Sequence, residues 1–177
     1  AGTGNNYTIT FSNDDAASLA ELVSINAATT GALTLNALTI AANLSGNSAD
    51  LTSAFAGTVT THTGTVTLTD DPTVAQLVAI NAATTGAITL QSADGALSGS
   101  AANLVLAFAG TVTEHTGTVT ITDAPTVAQL VTINAETTGA ITLSTADGAL
   151  SGSAANLVLA FAGTVTEHTG TVTITDA

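Results

Sequence analysis

One stretch of this sequence occurs twice almost unchanged, and that constrains the fold more than any other feature. Pro72-Thr73-Val74-Ala75-Gln76-Leu77-Val78 returns as Pro125-Thr126-Val127-Ala128-Gln129-Leu130-Val131, a period of 53 residues (125 − 72). Residues 71–123 and 124–176 differ only at Asp71/Ala124, Ala79/Thr132, Ala83/Glu136, Gln91/Ser144 and Ser92/Thr145. A diverged copy precedes them: Leu22-Val23-Ser24-Ile25-Asn26 matches Leu77 to Asn81, and Phe55-Ala56-Gly57-Thr58-Val59 matches Phe108 to Val112. The spacing between these two blocks shows a two-residue insertion in the first copy, which occupies roughly residues 8–70. The expected organisation is a diverged first repeat with an N-terminal strand (1–70), a second repeat (71–123) and a third (124–177). Because the chain stops at a repeat junction, the expectation is an excerpt from a longer array. Short repeats that bury a core only against their neighbours stack into solenoids.

Within one period the pattern predicts two strand–helix units. Thr118-Val119-Thr120-Ile121-Thr122 alternates strictly and reads as a strand with Val119 and Ile121 inward. Asp123 stands where a helix N-cap is expected, with Pro125 in the first turn. Val127, Leu130, Val131 and Ile133 form a helical stripe that fades at Asn134, and Thr137-Thr138-Gly139 ends it. Ala140-Ile141-Thr142-Leu143 is the second strand. Ser151 or Ser153 caps a second helix carrying Ala154, Leu157, Val158 and Phe161 at helical spacing, with Gly163 as C-cap. The predicted fold class is an α/β repeat solenoid, a parallel sheet with short helices on one face. Val and Thr within the helical segments suit strands as well, so an all-β solenoid or sandwich is the alternative. Expected core residues are Val127, Leu130, Ile133, Ile141, Leu143, Leu157, Phe161, Val165, Val172 and Ile174, with their equivalents one period earlier.

Composition narrows the function. The chain has 13 Asp and Glu but no Lys or Arg, a formal charge of −13. Nucleic-acid binding depends on basic groups that neutralise phosphates, so that class is excluded, as are anionic membrane surfaces. Trypsin has no cleavage site. Without cysteine there is neither a disulfide framework nor a thiolate metal site, which suits a chain that works outside cells. Apolar runs are short and broken by Thr or Gly, so no membrane insertion is expected. Residue 1 reads as a mature or excised start, with no signal peptide visible.

Three sets of residues are candidates for chemistry. Thr65/Thr67/Thr69, Thr118/Thr120/Thr122 and Thr171/Thr173/Thr175 recur on alternate strand positions. In a stacked parallel sheet they form Thr ladders, either a neutral cover for an exposed face or a regular surface for ice or a glycan. His62, His115 and His168 each precede Thr-Gly, and should form a column that either binds a divalent ion, senses pH or is simply solvated in loops. The carboxylates Asp14-Asp15, Asp70-Asp71, Asp123 and Asp176 precede expected helix starts, where they cap free N–H groups. Asp94 and Asp147 fall in Ala-Asp-Gly turns; with Glu114 and Glu167 they are the calcium candidates, since Ca²⁺ takes oxygen ligands. No other metal or cofactor is expected. Neither the Gly-Gly-x-Gly-x-Asp calcium repeat nor an EF-hand loop is present. Nor is there a Gly-x-Ser-x-Gly elbow, a cysteine nucleophile or a glycine-rich loop before Lys, and the expectation is that the chain is not an enzyme.

The phrase Asp-(Ala/Asp)-Pro-Thr-Val-Ala-Gln-Leu-(x)₂-Ile-Asn-Ala, followed by Thr-Thr-Gly-Ala-Ile-Thr-Leu and Ser-Ala-Ala-Asn-Leu, resembles the tandem repeats of giant secreted or cell-surface bacterial proteins of cyanobacterial type. The resemblance covers nearly all of residues 8–177. It implies an extracellular stalk, adhesin or fibre, often exported without a classical signal, and it brings no catalytic residues to transfer. The missing glycine-rich repeat departs from calcium-driven folding of type I secreted proteins. The function expected is therefore a structural repeat module of a stiff stalk, surface layer or filament, outside the cell or on its surface. Its partners should be further copies of the repeat, head to tail. A Thr-ladder binding module for ice or a glycan, and a calcium-stiffened adhesin segment, are the alternatives.

Overall fold

A computed structural model of the chain describes residues 5–12 and 15–176. It is an α/β protein with seven helices, four small parallel sheets and no barrel among the described residues. The chain divides into two compact units: residues 1–72, 79–92 and 110–113 form the first, and residues 73–78, 93–109 and 114–177 the second.

Elements in the first unit are β1 (Ile9–Thr10), α1 (Leu19–Ala28), β2 (Leu33–Thr34), α2 (Ala37–Ala41), β3 (Leu44–Gly46), α3 (Ser48–Ala54) and β4 (Val66–Leu68). Helix α4 (Val74–Ala83) is cut by the division, and β5 (Ile88–Leu90) completes the first unit. The second unit holds β6 (Leu97–Gly99), α5 (Ala101–Ala107), β7 (Val119–Ile121), α6 (Val127–Ala135), β8 (Ile141–Leu143), β9 (Leu150–Gly152), α7 (Ala154–Ala160) and β10 (Val172–Ile174).

Sheet register follows a 22-residue step from β3 onward, while β1 and β2 pair across 24 residues, Ile9 against Leu33. In the first unit β3, β4 and β5 pair in parallel, Leu44 against Val66 against Ile88. In the second, β6, β7 and β8 repeat this as Leu97, Val119 and Ile141, and β9 meets β10 as Leu150 against Val172. Each step is 22 residues of chain (66 − 44, 88 − 66, 119 − 97, 172 − 150). Isolated bridges extend both three-stranded sheets, Ile88 to Val112 and Ile141 to Val165. Strands β4, β5, β7 and β8 are Val-Thr-Ile-type triplets that turn two apolar residues inward around one hydroxyl, whereas β3, β6 and β9 are Leu-Ser-Gly and β1 and β2 have two residues each. Val119 and Ile121 are fully buried, as are Val66 and Leu68.

Several expectations change. The segment Leu97-Ser98-Gly99 is a strand, so a period holds three strands and two helices rather than two of each. Helix α6 is capped by Thr126, whose hydroxyl accepts from Gln129 N–H while the Gln129 side chain reaches back to the Thr126 backbone. Pro125 therefore lies before the cap, and Asp123 is not the cap. Helix α1 starts from Ser18, with Glu21 in the same reciprocal role; Asp14 lies outside the described residues. Ser153, not Ser151, caps α7. Leu157 and Ala160 are its buried residues, whereas Val158 is exposed. Gly57, Gly110 and Gly163 follow α3, α5 and α7 at φ 74°, 76° and 72°, a left-handed conformation that favours glycine and ends the helix. Val172 and Ile174, expected in the core, are exposed.

Candidate functional site

The three histidines occupy the most elaborate recurring arrangement in the molecule. In the first unit His62 is fully buried, and in the second His115 nearly so. Both sit where solvated loop residues were expected. Each donates from Nε2 to a backbone carbonyl 20 residues earlier: His62 to Ala42 (2.8 Å), His115 to Gly95 (2.7 Å) and His168 to Gly148 (2.6 Å). The next two backbone N–H groups reach the carbonyl two residues before that one. Thr63 and Gly64 bond Ile40, Thr116 and Gly117 bond Ala93, and Thr169 and Gly170 bond Ala146. His-Thr-Gly is thus a three-point staple onto the preceding turn.

A second set of bonds points forward. His62 N–H donates to Ala83 O, while Thr85 N–H and the Thr84 hydroxyl donate to His62 O. His115 repeats this with Glu136, Thr138 and Thr137. Thr84 Oγ1 then accepts from Gly86 N–H and lies 3.4 Å from His62 Nδ1; Thr137 holds the same place beside His115. The phenylalanine that closes α3, α5 or α7 packs on each imidazole. Ring centroids of Phe55 and His62 are 5.6 Å apart, those of Phe108 and His115 6.0 Å, and those of Phe161 and His168 5.9 Å, all tilted by about 50°. Burial lowers the His62 pKa below its ordinary value, opposed by the hydrogen bond to Ala42. In each ring Nε2 is already committed as a donor to a backbone carbonyl. The clamp therefore holds backbone, and it leaves no lone pair of His62 or His115 facing solvent for a metal.

The carboxylates have other partners than those expected. Asp70 accepts from Ser48 N–H at 2.7 Å and from its hydroxyl, Asp123 from Ala101 N–H at 2.7 Å, and Asp176 from Ala154 N–H at 2.8 Å. Each is the first residue of the helix lying 22 positions earlier, α3, α5 or α7. The aspartates do meet helix N-termini, but those of the helix 22 residues earlier rather than of the helix they precede. The calcium candidates Asp94, Asp147, Glu114 and Glu167 are all exposed. The described residues contain no group of three or more His, Asp or Glu able to hold a metal ion, so these four are not gathered into a ligand set. Asn26 and Asn134, where the helical stripe fades, bind the carbonyls at the ends of α3 and α7. Asn26 Nδ2 reaches Ser53, Ala54 and Ala56, and Asn134 Nδ2 reaches Leu159 and Ala162. A polar residue at the edge of a helix's apolar stripe is the signal for this role.

The expected ladder of Thr67, Thr120 and Thr173 does not form, because β4, β7 and β10 lie in three separate sheets; shorter hydroxyl rows form within single sheets instead. Ser45, Thr67 and Thr89 stand in register across β3, β4 and β5, and Ser98, Thr120 and Thr142 across β6, β7 and β8. Thr89 and Thr142 are exposed between buried neighbours, which places the rows on the outer face. No helix of the described residues is long and apolar enough to cross a membrane. No protein-family model, curated protein or solved structure matches this chain.

Proposed function

We propose that the chain is a structural module: an α/β solenoid of stacked 53-residue repeats that supplies length, stiffness and display outside the cell, with no catalytic role. The observation that carries this reading is the return of the same clamp, helix tie and strand register at a fixed step in both units. The most conserved-in-pattern polar groups hold one coil to the next, which is what an array needs. In this reading copies stack head to tail, and the resemblance to secreted and surface-protein repeats supports an extracellular setting. Chains carrying three, six and nine repeats test it by small-angle scattering and electron microscopy. The maximum dimension should grow in proportion to repeat number at constant cross-section. A dimension that grows only as the cube root of mass would end the proposal.

The aligned Ser98–Thr120–Thr142 row favours one second reading, a surface that holds ice or a glycan. Thermal hysteresis, or retention on a glycan array, that is abolished by Thr120→Val with Thr142→Val would promote it. Absence of both activities removes it.

A further inference from the structure

Helices α3, α5 and α7 hold equivalent places in the three copies, yet their outward residues differ. α3 reads Ser-Ala-Asp-Leu-Thr-Ser-Ala, whereas α5 and α7 both read Ala-Ala-Asn-Leu-Val-Leu-Ala. The buried Leu51 and Ala54 return as Leu104 and Ala107. Outside, Asp50 gives way to Asn103, half-buried Thr52 to Val105 and exposed Ser53 to Leu106. Ser53 serves in the same helix, so folding does not require a leucine there. Leu106 nevertheless stands 53% exposed, and Leu159 on α7 is exposed to the same 53%. Helix α5 ends 70 residues before the last residue (177 − 107), so a chain end does not account for this.

Charge changes in parallel. α1 carries Glu21 and α3 carries Asp50, but α5, α6 and α7 have no ionisable side chain. The seven carboxylates of residues 93–176 all lie outside the helices and strands. In the second unit α6 packs against both α5 and α7, and its outward residues Ala128, Thr132 and Ala135 are small. Leu106 and Leu159 thus stand on either side of a low row.

We propose that the outer face of α5, α6 and α7 is a side-to-side contact with a second copy of this chain, helix face against helix face. Two chains of charge −13 repel where their carboxylates meet, and this face places none of them at its centre. A basic partner would be drawn to the acidic connecting segments instead. A second copy presents the same neutral face, with both the projections and the trough that a two-fold contact exchanges. The contact is weak for a single pair. Three helices of seven to nine residues cover roughly 300 Å² side by side, against about 800 Å² per partner in a stable complex. Repetition along an array multiplies it, so lateral bundling strengthens with repeat number. Head-to-tail stacking leaves this face free, and the two modes are independent.

Sedimentation equilibrium of the full chain tests this. With sodium chloride at about 0.5 M to screen the carboxylates, the average mass should rise toward that of a dimer between about 10 µM and 1 mM. Leu106→Ser with Leu159→Ser, which installs the residue of the first copy, should weaken association at least about tenfold. Asn103→Asp with Asn156→Asp puts charge on the same face and should weaken it at least about as much. A carboxylate in the first turn favours the helix, so the aspartate pair decides should the serine pair unfold. A parent chain that stays monomeric throughout overturns the proposal. If that monomer floats with phosphatidylcholine vesicles, the face belongs to a lipid surface, which overturns it equally. So does association that a folded variant leaves unchanged; end-to-end stacking, which uses neither leucine, would behave that way and leave the stalk reading standing.

Discussion

A buried imidazole is an unusual choice for joining backbone segments, and the reason lies in its shape. Nε2–H reaches a carbonyl on one side while Nδ1 faces the threonine on the other, and the ring itself fills space against phenylalanine. Replacing His115 by Ala removes all three effects, leaving Gly95 O without its donor and a void beside Phe108. A loss of roughly 2–4 kcal/mol is expected, read as a lower urea midpoint; a change below 1 kcal/mol would show the clamp to be dispensable. The pH dependence follows from His62. Its pKa is lowered in the folded chain, so the unfolded chain binds more protons in the window between that value and about 6.5. Stability is full above about 6.5 and declines as pH falls through that window. Urea midpoints from pH 8 to 5 should show this slope, and His62→Gln should flatten it. None of this was legible from neighbours in sequence, where Thr, Glu and Gly around the histidine suggest a solvated loop. Its burial is set by residues 20 and 22 positions away. Only the regular recurrence of Phe seven residues before each His hinted at a packed ring.

Elements here are short, and each depends on contacts that local rules do not see. Thr-Val-Thr-Ile-Thr was readable as a strand because alternation alone decides which side chains are inward. Leu97-Ser98-Gly99 was not, with one apolar residue and a glycine; it is extended because β7 offers an edge, a case of tertiary context outweighing propensity. Asp123 was assigned to the wrong helix because an acidic residue before Pro resembles an N-cap. The Thr-x-x-Gln signature at Thr126 was present and is the stronger local signal. Close approach of backbones produces a sharp contrast among the glycines. Gly139→Ala forces a Cβ onto Gly117 O and should cost roughly 2–4 kcal/mol. Gly57→Ala meets nothing within 4 Å and should cost only about 1 kcal/mol, for its positive φ. Denaturant titration of the two variants gives the order, and equal losses would show that Gly139 has room for a Cβ beside Gly117 O.

For the whole molecule, the repeat was the most legible feature, while the layout of the units was not. Paired strands from β3 onward lie 22 residues apart, whereas β1–β2 and the bridges Ile88–Val112 and Ile141–Val165 span 24, a pattern visible only once Leu97 and Leu150 join the sheets. Charge acts at this scale too. Thirteen carboxylates without a basic side chain repel over distances set by ionic strength, the screening length falling from about 30 Å at 0.01 M to about 8 Å at 0.15 M. The melting temperature should therefore rise with added salt. Because the acidic candidates are not gathered, calcium and magnesium should act alike at equal ionic strength. A rise produced by calcium alone would point to a defined site.

The aspartate ties set an order in synthesis. The first N–H of α3, α5 and α7 waits for Asp70, Asp123 and Asp176, each made 22 residues later. During synthesis each of these three helices therefore leaves the ribosome 22 residues before the carboxylate that completes its first turn.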